Sequence, residues 1–200
     1  REVAEPGEYA ALWLRDAGET PGTAGWRERY RRWTEWFSGN GVLAVGMGMI
    51  TLRRVDAPDP TVIAEDVPQA IEQPIGAQVG AWLDRAAWLR AAGCDGADAG
   101  RLFDRRVRRA PDLVRTTHSL AGEDGWSPAA SSLRLGGGMR WELEADDALC
   151  ALVAGCTGEP TLGELAGLLA ASLGAPADAV RAALAPVLID LLRRGLLLPS

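Results

Sequence analysis

The chain has 200 residues, of which 48% are hydrophobic and 24% are charged, and its formal net charge is −6. These values are typical of a globular protein of one or two domains, and the acidic balance disfavours binding to nucleic acid or anionic membranes through bulk charge. Three cysteines without paired spacing and a single histidine argue against a disulfide framework and against a metal cluster. We expect a cytoplasmic protein with no membrane partner, since no apolar run approaches the ~20 residues of a membrane span.

Two helices are predicted at the start of the chain. Residues 6–18 suit a short helix, because Pro6 fits a first turn and Gly18 follows the apolar face. Residues 25–41 suit a second helix, with aromatic residues at helical spacing. These are Trp26, Tyr30, Trp33 and Phe37. Such a stripe indicates core contact rather than a surface for stacking bases.

An antiparallel hairpin is predicted next. Residues 42–54 are apolar on both faces, which is typical of a strand buried within a sheet. Residues 61–67 predict a second strand. The connection VDAPDP is too short for a crossover helix, so the two strands should pair antiparallel.

The glycines of this hairpin could be mistaken for a cofactor loop. Gly46 and Gly48 follow an apolar run, and Asp66 stands where an acidic residue of a nucleotide fingerprint would stand. Such a loop needs a helix directly after its glycines, and MITLRR is a strand pattern instead. We therefore interpret the glycines as a bulge or a close backbone approach within a strand.

The middle of the chain predicts helices at 77–93 and 97–110, followed by a loop with at most one strand. The second helix is rich in arginine. Its candidate phosphate contacts are Arg105, Arg106, Arg108 and Arg109. Two interpretations stay open. The guanidinium groups contact phosphates of a nucleic-acid substrate, or they form surface pairs with Asp98, Asp104 and Asp112, which the acidic net charge favours.

From residue 131 the pattern predicts a winged-helix-like module. SSLRL and MRWELEA read as two strands around a glycine turn. Three helices and a short closing strand follow, at 146–156, 161–174, 176–195 and the last six residues. Asp146 suits an N-cap, Thr161 and Glu164 form a capping box, and Pro186 should kink the third helix.

Residues that often carry chemistry have plainer interpretations here. His118 is more readily a surface or loop histidine than a catalytic base, because no activated Ser or Cys accompanies it. Cys150 and Cys156 suit buried packing. Ser131 and Ser132 lack the glycines of a nucleophile elbow.

Three stretches resemble a known enzyme family. They are REVAEPGEYAALWLRDAG, WFSGNGVLAVGMGMITLRR and GGGMRWELEADDALCALVAGCTGEPTLGELAGLLA. They are similar to the C-terminal part of actinobacterial class I S-adenosylmethionine-dependent methyltransferases with the "small" methyltransferase domain, related to glutamine-N5 and adenine-N6 amino methyltransferases. The resemblance implies an α/β fold, α+β in this chain. Residues 1–75 would end a Rossmann-like catalytic sheet, 76–130 would connect, and 131–200 would form the winged-helix-like domain.

The resemblance also implies what this chain lacks. The family's glycine-rich cofactor loop and Asn-Pro-Pro-aromatic motif would lie before Arg1, so no catalytic or cofactor-binding residue can be transferred. We expect a piece of a longer protein that is inactive alone. S-adenosylmethionine would bind the parent, and the partners would be the upstream methyltransferase domain and an RNA, DNA or protein substrate. The alternative is a noncatalytic winged-helix module that binds protein or nucleic acid.

Overall fold

The computed structural model describes residues 2–56, 61–94 and 99–200. Within these ranges the protein is mixed α+β, as the sequence predicts, with all strand pairs antiparallel. The helices are α1 Pro6–Asp16, α2 Ala24–Gly39, α3 Gly76–Ala91, α4 Asp147–Gly155, α5 Leu162–Leu173 and α6 Ala177–Arg194. The strands are β1 Glu2–Ala4, β2 Val45–Met47, β3 Arg106–Arg109, β4 Leu113–Gly122, β5 Gly125–Leu135, β6 Glu142–Glu144, β7 Thr157–Thr161 and β8 Leu197–Pro199.

The chain divides into two compact units, Arg1–Pro68 and Gln69–Ser200. In the N-terminal unit the predicted helices are confirmed as α1 and α2. Thr23 caps α2 by accepting a hydrogen bond from the Trp26 amide at 3.2 Å. The aromatic stripe contacts α1, where Tyr9 lies 6.1 Å from Trp33 and 6.2 Å from Phe37, measured between ring centroids. The stripe is therefore a helix–helix contact.

The predicted hairpin of residues 42–54 with 61–67 is wrong. The strand shortens to β2, whose partner is β1, with Val3 opposite Gly46. Residues 61–67 form no strand, and residues 57–60 of the connection lie outside the described ranges. An apolar run becomes a buried strand only where a sheet covers both of its faces. Among the described residues, the only strand paired with β2 is the three-residue strand β1.

The C-terminal unit is built around β3, the central strand of a three-stranded sheet in the order β7-β3-β8. Val107 on β3 is buried, and helices α4, α5 and α6 contribute most of the buried helical residues of the unit. The largest fully buried side chains of the unit are Leu89, Leu102, Val107, Val153, Leu162, Leu188, Leu191, Leu192, Leu196 and Leu197. This packing gives the unit one continuous hydrophobic core.

The arginine-rich helix predicted at 97–110 is wrong. A 3-10 helix, Ala99–Asp104, is followed after Arg105 by β3, so Arg106, Arg108 and Arg109 lie on a strand. The sequence RVRR has one apolar residue between cations, which suits a strand with a single buried position. Pairing on both edges, with β7 and β8, then satisfies the strand's backbone groups.

The loop predicted after Pro111 is also wrong over most of its length. Strand β4 pairs with β5 along ten residue pairs, and β6 extends the sheet. Residues 117–130 are exposed on both faces of the hairpin. Without a buried face, the sequence carries no alternation of apolar and polar residues to reveal the strands.

The three C-terminal helices and the closing strand are confirmed. Asp146 caps α4 by accepting from the Leu149 amide at 2.7 Å. The capping box of α5 is complete, because Thr161 accepts from the Glu164 amide at 3.1 Å and Glu164 accepts from the Thr161 amide at 2.7 Å. Pro186 lies inside α6. Among the described helices, none has the length and apolar character that crossing a membrane requires.

Candidate functional site

The four predicted arginines separate into two pairs in the structure. Arg108 and Arg109 line an open cavity, whereas Arg105 and Arg106 do not. Arg106 instead donates a hydrogen bond to the carbonyl oxygen of Glu159. Arg105 is half-buried, and its Nε has no hydrogen-bond partner among the described residues. The structure therefore selects Arg108 and Arg109 as the members that face a common space.

The cavity has a volume of about 570 Å³ and lies within the C-terminal unit. Its wall combines the end of β3, the loop into β4, one position of β5 and the last turns of α4. The lining residues are Arg108, Arg109, Ala110, Pro111, Leu113, Arg115, Leu133, Cys150, Val153, Ala154, Cys156 and Thr157. The volume falls in the range of small-molecule sites, about 300–1,000 Å³.

Arg115 is a third cation at the cavity that the sequence analysis missed. It lies on β4, two residues after Leu113, and its Nη2 is 2.6 Å from the Asp147 carboxylate. The residue was overlooked because β4 was interpreted as a loop. Strand register would have revealed it, since Arg115 lies opposite Leu133, and both line the cavity.

The structure describes two of the three aspartates with which the arginines were predicted to pair. Across the described ranges, neither Asp104 nor Asp112 forms an ion pair with any of the four, and Asp98 lies outside those ranges. Asp112 instead accepts a hydrogen bond from the Gly137 amide at 3.1 Å. The glycine turn between β5 and β6 thus occupies this carboxylate.

Two cysteines line the cavity as neutral thiols. Burial raises the pKa of Cys156 to about 11, against the opposing effect of the Arg109 charge. Burial also raises the pKa of Cys150, although Arg115 lowers it. The Cys156 thiol donates to the carbonyl of Leu152 at 3.4 Å. As predicted, both side chains serve packing, since the thiolate is the reactive form of cysteine.

The remaining candidate residues form no catalytic arrangement in the described part of the chain. His118 is exposed on β4, opposite Ala130. Ser132 is buried and donates to Glu142 at 2.5 Å. In the ranges that the structure describes, no group of three His, Cys, Asp or Glu side chains could hold a metal ion.

The glycines Gly46 and Gly48 do not precede a helix. Gly46 pairs within the β1–β2 sheet without a register shift, so the predicted bulge is absent from this pair. Residues 48–56 contain neither helix nor strand. The described residues therefore place no helix N-terminus behind the glycines, which a phosphate-binding loop would require.

The N-terminal unit exposes an unusual amount of apolar surface. Leu43 and Ile50 are each 90% exposed, and Leu52 is 89% exposed. Other large apolar side chains of the unit are at least partly open to solvent, namely Val3, Trp13, Trp33, Trp36, Met47, Met49, Val55 and Val62. Exposure of so many large apolar side chains in a small unit favours a surface that another structure covers.

Comparison with known proteins identifies one family. The model of a domain of unknown function, DUF7782, matches residues 80–199, which is more than half of the chain. The matched region contains β3, the arginine-lined cavity and the three C-terminal helices. No curated protein matches the chain.

Proposed function

The chain belongs to the DUF7782 family, whose function is unknown, and we propose that it is the C-terminal portion of an S-adenosylmethionine-dependent methyltransferase. In this proposal the N-terminal unit completes the catalytic sheet. The C-terminal unit is an accessory domain that contacts the substrate or a partner. The cofactor binds an upstream domain of the parent, and this chain is inactive alone.

The exposed strand region of the N-terminal unit carries the proposal. A sheet of two three-residue strands is too small to be stable by itself, and β1 and β2 each present one edge without a described strand neighbour. Leu43, Ile50 and Leu52 lie just before and after β2 with nearly their whole side chains in solvent. Burying each would stabilise the parent by about 1.5–3 kcal/mol. A larger sheet, such as that of a class I methyltransferase, would cover these residues.

The residues around β2 also belong to one of the stretches that resemble the methyltransferase family. The stretch WFSGNGVLAVGMGMITLRR contains all three exposed residues. The sequence resemblance and the exposed apolar side chains therefore occur in the same segment of the chain. The resemblance supplies the identity of the covering sheet, and the exposure supplies the reason to expect one.

The C-terminal unit has an element order similar to that of a winged helix. Helix α4, strand β7, helices α5 and α6 and strand β8 follow one another, and both strands pair with β3. This order also favours the second candidate function, a noncatalytic winged-helix module that binds a protein.

Recognition of DNA by α6 receives less support. Arg194 lies 4.7 Å above the Trp141 ring and pairs with Asp190 at 2.9 Å. Arg181 lies 5.7 Å from the Phe103 ring centroid. These contacts engage the guanidinium groups that a recognition helix would direct at bases and phosphates.

The experiment compares one substitution in two contexts, this chain and its full-length parent. Ile50→Asp should leave the melting temperature of this chain nearly unchanged, because the side chain is already in solvent. In the parent, the same change should bury a carboxylate in the completed sheet. We expect it to destabilise the catalytic domain and abolish S-adenosylmethionine binding in calorimetry.

The matched control is Leu168→Asp, because Leu168 is 70% exposed on α5 of the other unit. It should be neutral in both contexts if only the segment around β2 is covered. This chain alone should show no S-adenosylmethionine binding at micromolar concentrations. Equal, small effects of Ile50→Asp in both contexts would refute the proposal, as would a parent without a glycine-rich loop and an Asn-Pro-Pro-aromatic motif.

A further inference from the structure

The arginine-lined cavity of the C-terminal unit carries an unbalanced positive charge. Arg108, Arg109 and Arg115 contribute three guanidinium groups, and the described lining includes no carboxylate. Within the described ranges, Arg108 and Arg109 form no ion pair. The single acidic contact is between Arg115 and Asp147, whose side chains are 46% and 91% exposed. Such exposed pairs stabilise a protein little and exchange readily for another anion.

The other polar groups of the lining leave this charge in place. The thiols of Cys150 and Cys156 stay protonated at neutral pH, so they add no negative charge. Thr157 is an exposed, neutral hydrogen-bonding residue of the lining. An anion entering the cavity would therefore meet cationic donors and neutral lining groups, and it would compete with the nearby Asp147 carboxylate for Arg115. Guanidinium groups bind phosphate through paired N–H donors in a planar fork, which adds geometric fit to charge attraction.

The rest of the wall is apolar. Leu133 and Val153 are buried side chains of the lining, which also includes Leu113 and Pro111. A small anion alone would leave this apolar surface exposed to water. A ligand with an apolar or aromatic body attached to its anionic group would cover it, which is the usual composition of small-molecule sites.

From these features we infer that the cavity binds a phosphate monoester group carried on an aromatic body of mononucleotide size. Three cations suit the double negative charge of a phosphate monoester better than the single charge of a carboxylate. The volume of about 570 Å³ accommodates a mononucleotide. A free mononucleotide and the 5′-phosphorylated end of a strand share this chemistry. The inference stands on the C-terminal unit alone and does not depend on the proposed methyltransferase.

Binding of interior phosphates along a nucleic-acid strand is the weaker interpretation. Such binding needs a row of cations that follows the backbone. Here Arg106, the next cation along β3, is bound to a backbone carbonyl outside the cavity. The net charge of −6 opposes a long polyanion.

The test uses the whole chain and calorimetric titration with adenosine 5′-monophosphate, adenosine and inorganic phosphate. The mononucleotide should bind at least about tenfold more tightly than adenosine, which lacks the charged group, and more tightly than inorganic phosphate, which lacks a body to cover the apolar wall. A trinucleotide with a 5′-phosphate should bind more tightly than the same trinucleotide with a 5′-hydroxyl. Equal affinities for the mononucleotide and adenosine would overturn the inference. Equal affinities for the two trinucleotides would also overturn it, because the cavity would then bind interior phosphates.

Matched variants locate the site. Arg108→Gln and Arg109→Gln should each weaken mononucleotide binding about tenfold or more. Arg106→Gln removes the same charge from the same strand outside the cavity, and it should change the affinity less than about twofold. Circular dichroism melting checks that each variant is folded. Amide chemical shifts of Leu133 and Val153 in the unsubstituted protein should move on titration. Equal weakening by all three variants, or unmoved shifts at those two residues, would refute the assignment.

Discussion

At the scale of single residues, short-range chemistry was readable from the sequence. The spacing of Thr161 and Glu164 predicted the capping box, and both of its hydrogen bonds are present. Asp146 was equally predictable, because an N-cap depends only on the residues of one helix turn. Arg115 was not predictable in this way. Its place at the cavity depends on strand register between β4 and β5, which residues in its own neighbourhood do not specify.

The capping box should make stability depend on pH through Glu164. The backbone hydrogen bond from Thr161 is the largest cause that lowers the pKa of this carboxyl below its ordinary value of 4.5. A lowered folded-state pKa means that the stabilisation is present above the unfolded-state pKa and is lost as the pH falls through the folded-state pKa. Glu164→Gln should therefore reduce the melting temperature at pH 7. The difference from the unsubstituted protein should shrink below pH 4.5 and vanish once the carboxyl is protonated.

Removal of the cap itself should cost more than removal of the charge. Thr161→Ala loses the side chain that accepts from the Glu164 amide, and such losses typically cost about 0.5–2 kcal/mol of unfolding free energy. Chemical denaturation at pH 7 measures it. Thr161→Ser retains the hydroxyl and serves as the control. A serine variant as unstable as the alanine variant would show that the methyl group, and not the cap, is responsible.

The three cysteines should react only after unfolding. Cys94, Cys150 and Cys156 are buried, and burial raises the pKa of Cys150 and Cys156. Since the thiolate is the nucleophile, a disulfide reagent at pH 8 should find no reactive thiol in the native protein. The same reagent in denaturant should titrate all three. Rapid reaction of a native thiol would show that at least one of these cysteines is accessible in solution.

At the scale of elements, helices were predicted where an apolar face repeats, and strands were missed where no face is buried. Helices α1, α2 and α4 to α6 keep an apolar face against a neighbour, so their periodicity is visible. The β4–β5 hairpin has no buried face over residues 117–130, and it was missed. Residues 106–109 form a strand instead of the predicted helix because of their tertiary environment. Val107 is buried in the core as part of β3, which is paired on both edges.

Helices α5 and α6 both have a left-handed glycine as their C-cap, which allows a matched comparison. Gly174 ends α5 with φ 63°, and a Cβ there would meet open space. Gly195 ends α6 with φ 87°, and a Cβ there would lie 2.8 Å from Cζ of Arg85. Gly174→Ala should cost about 1–2 kcal/mol for the backbone conformation alone. Gly195→Ala should cost more, because it also displaces the guanidinium that donates to the Arg193 carbonyl at 3.2 Å.

Denaturation of both variants in an Arg85→Ala background separates the two causes. Without the guanidinium, the excess cost of Gly195→Ala over Gly174→Ala should disappear. A persistent excess would mean that the backbone conformation at Gly195, and not the contact with Arg85, makes this position demanding.

At the scale of the whole molecule, the distribution of buried residues differs sharply between the units. Among the described residues of the N-terminal unit, the buried apolar positions are Ala10, Leu14 and Phe37. All the other buried apolar side chains belong to Gln69–Ser200. The boundary between the units is hard to predict from the sequence, because the residues around position 70 contact a segment that is remote along the chain. That segment is the glycine turn between β5 and β6.

We therefore predict that residues 69–200 fold without the N-terminal unit, because this fragment retains its entire hydrophobic core. It should melt cooperatively in circular dichroism and bind no apolar dye, whereas residues 1–68 alone should bind the dye through exposed side chains such as Ile50.

A shorter fragment, 76–200, is the control. It lacks the bond from Gln69 to the Met139 carbonyl and that from the Glu72 amide to the Gly138 carbonyl, each 2.8 Å long, together with the buried side chain of Ile75. The shorter fragment should melt at a distinctly lower temperature. Equal melting of the two fragments would place the boundary after Ile75, and non-cooperative melting of residues 69–200 would show that the core depends on the N-terminal unit.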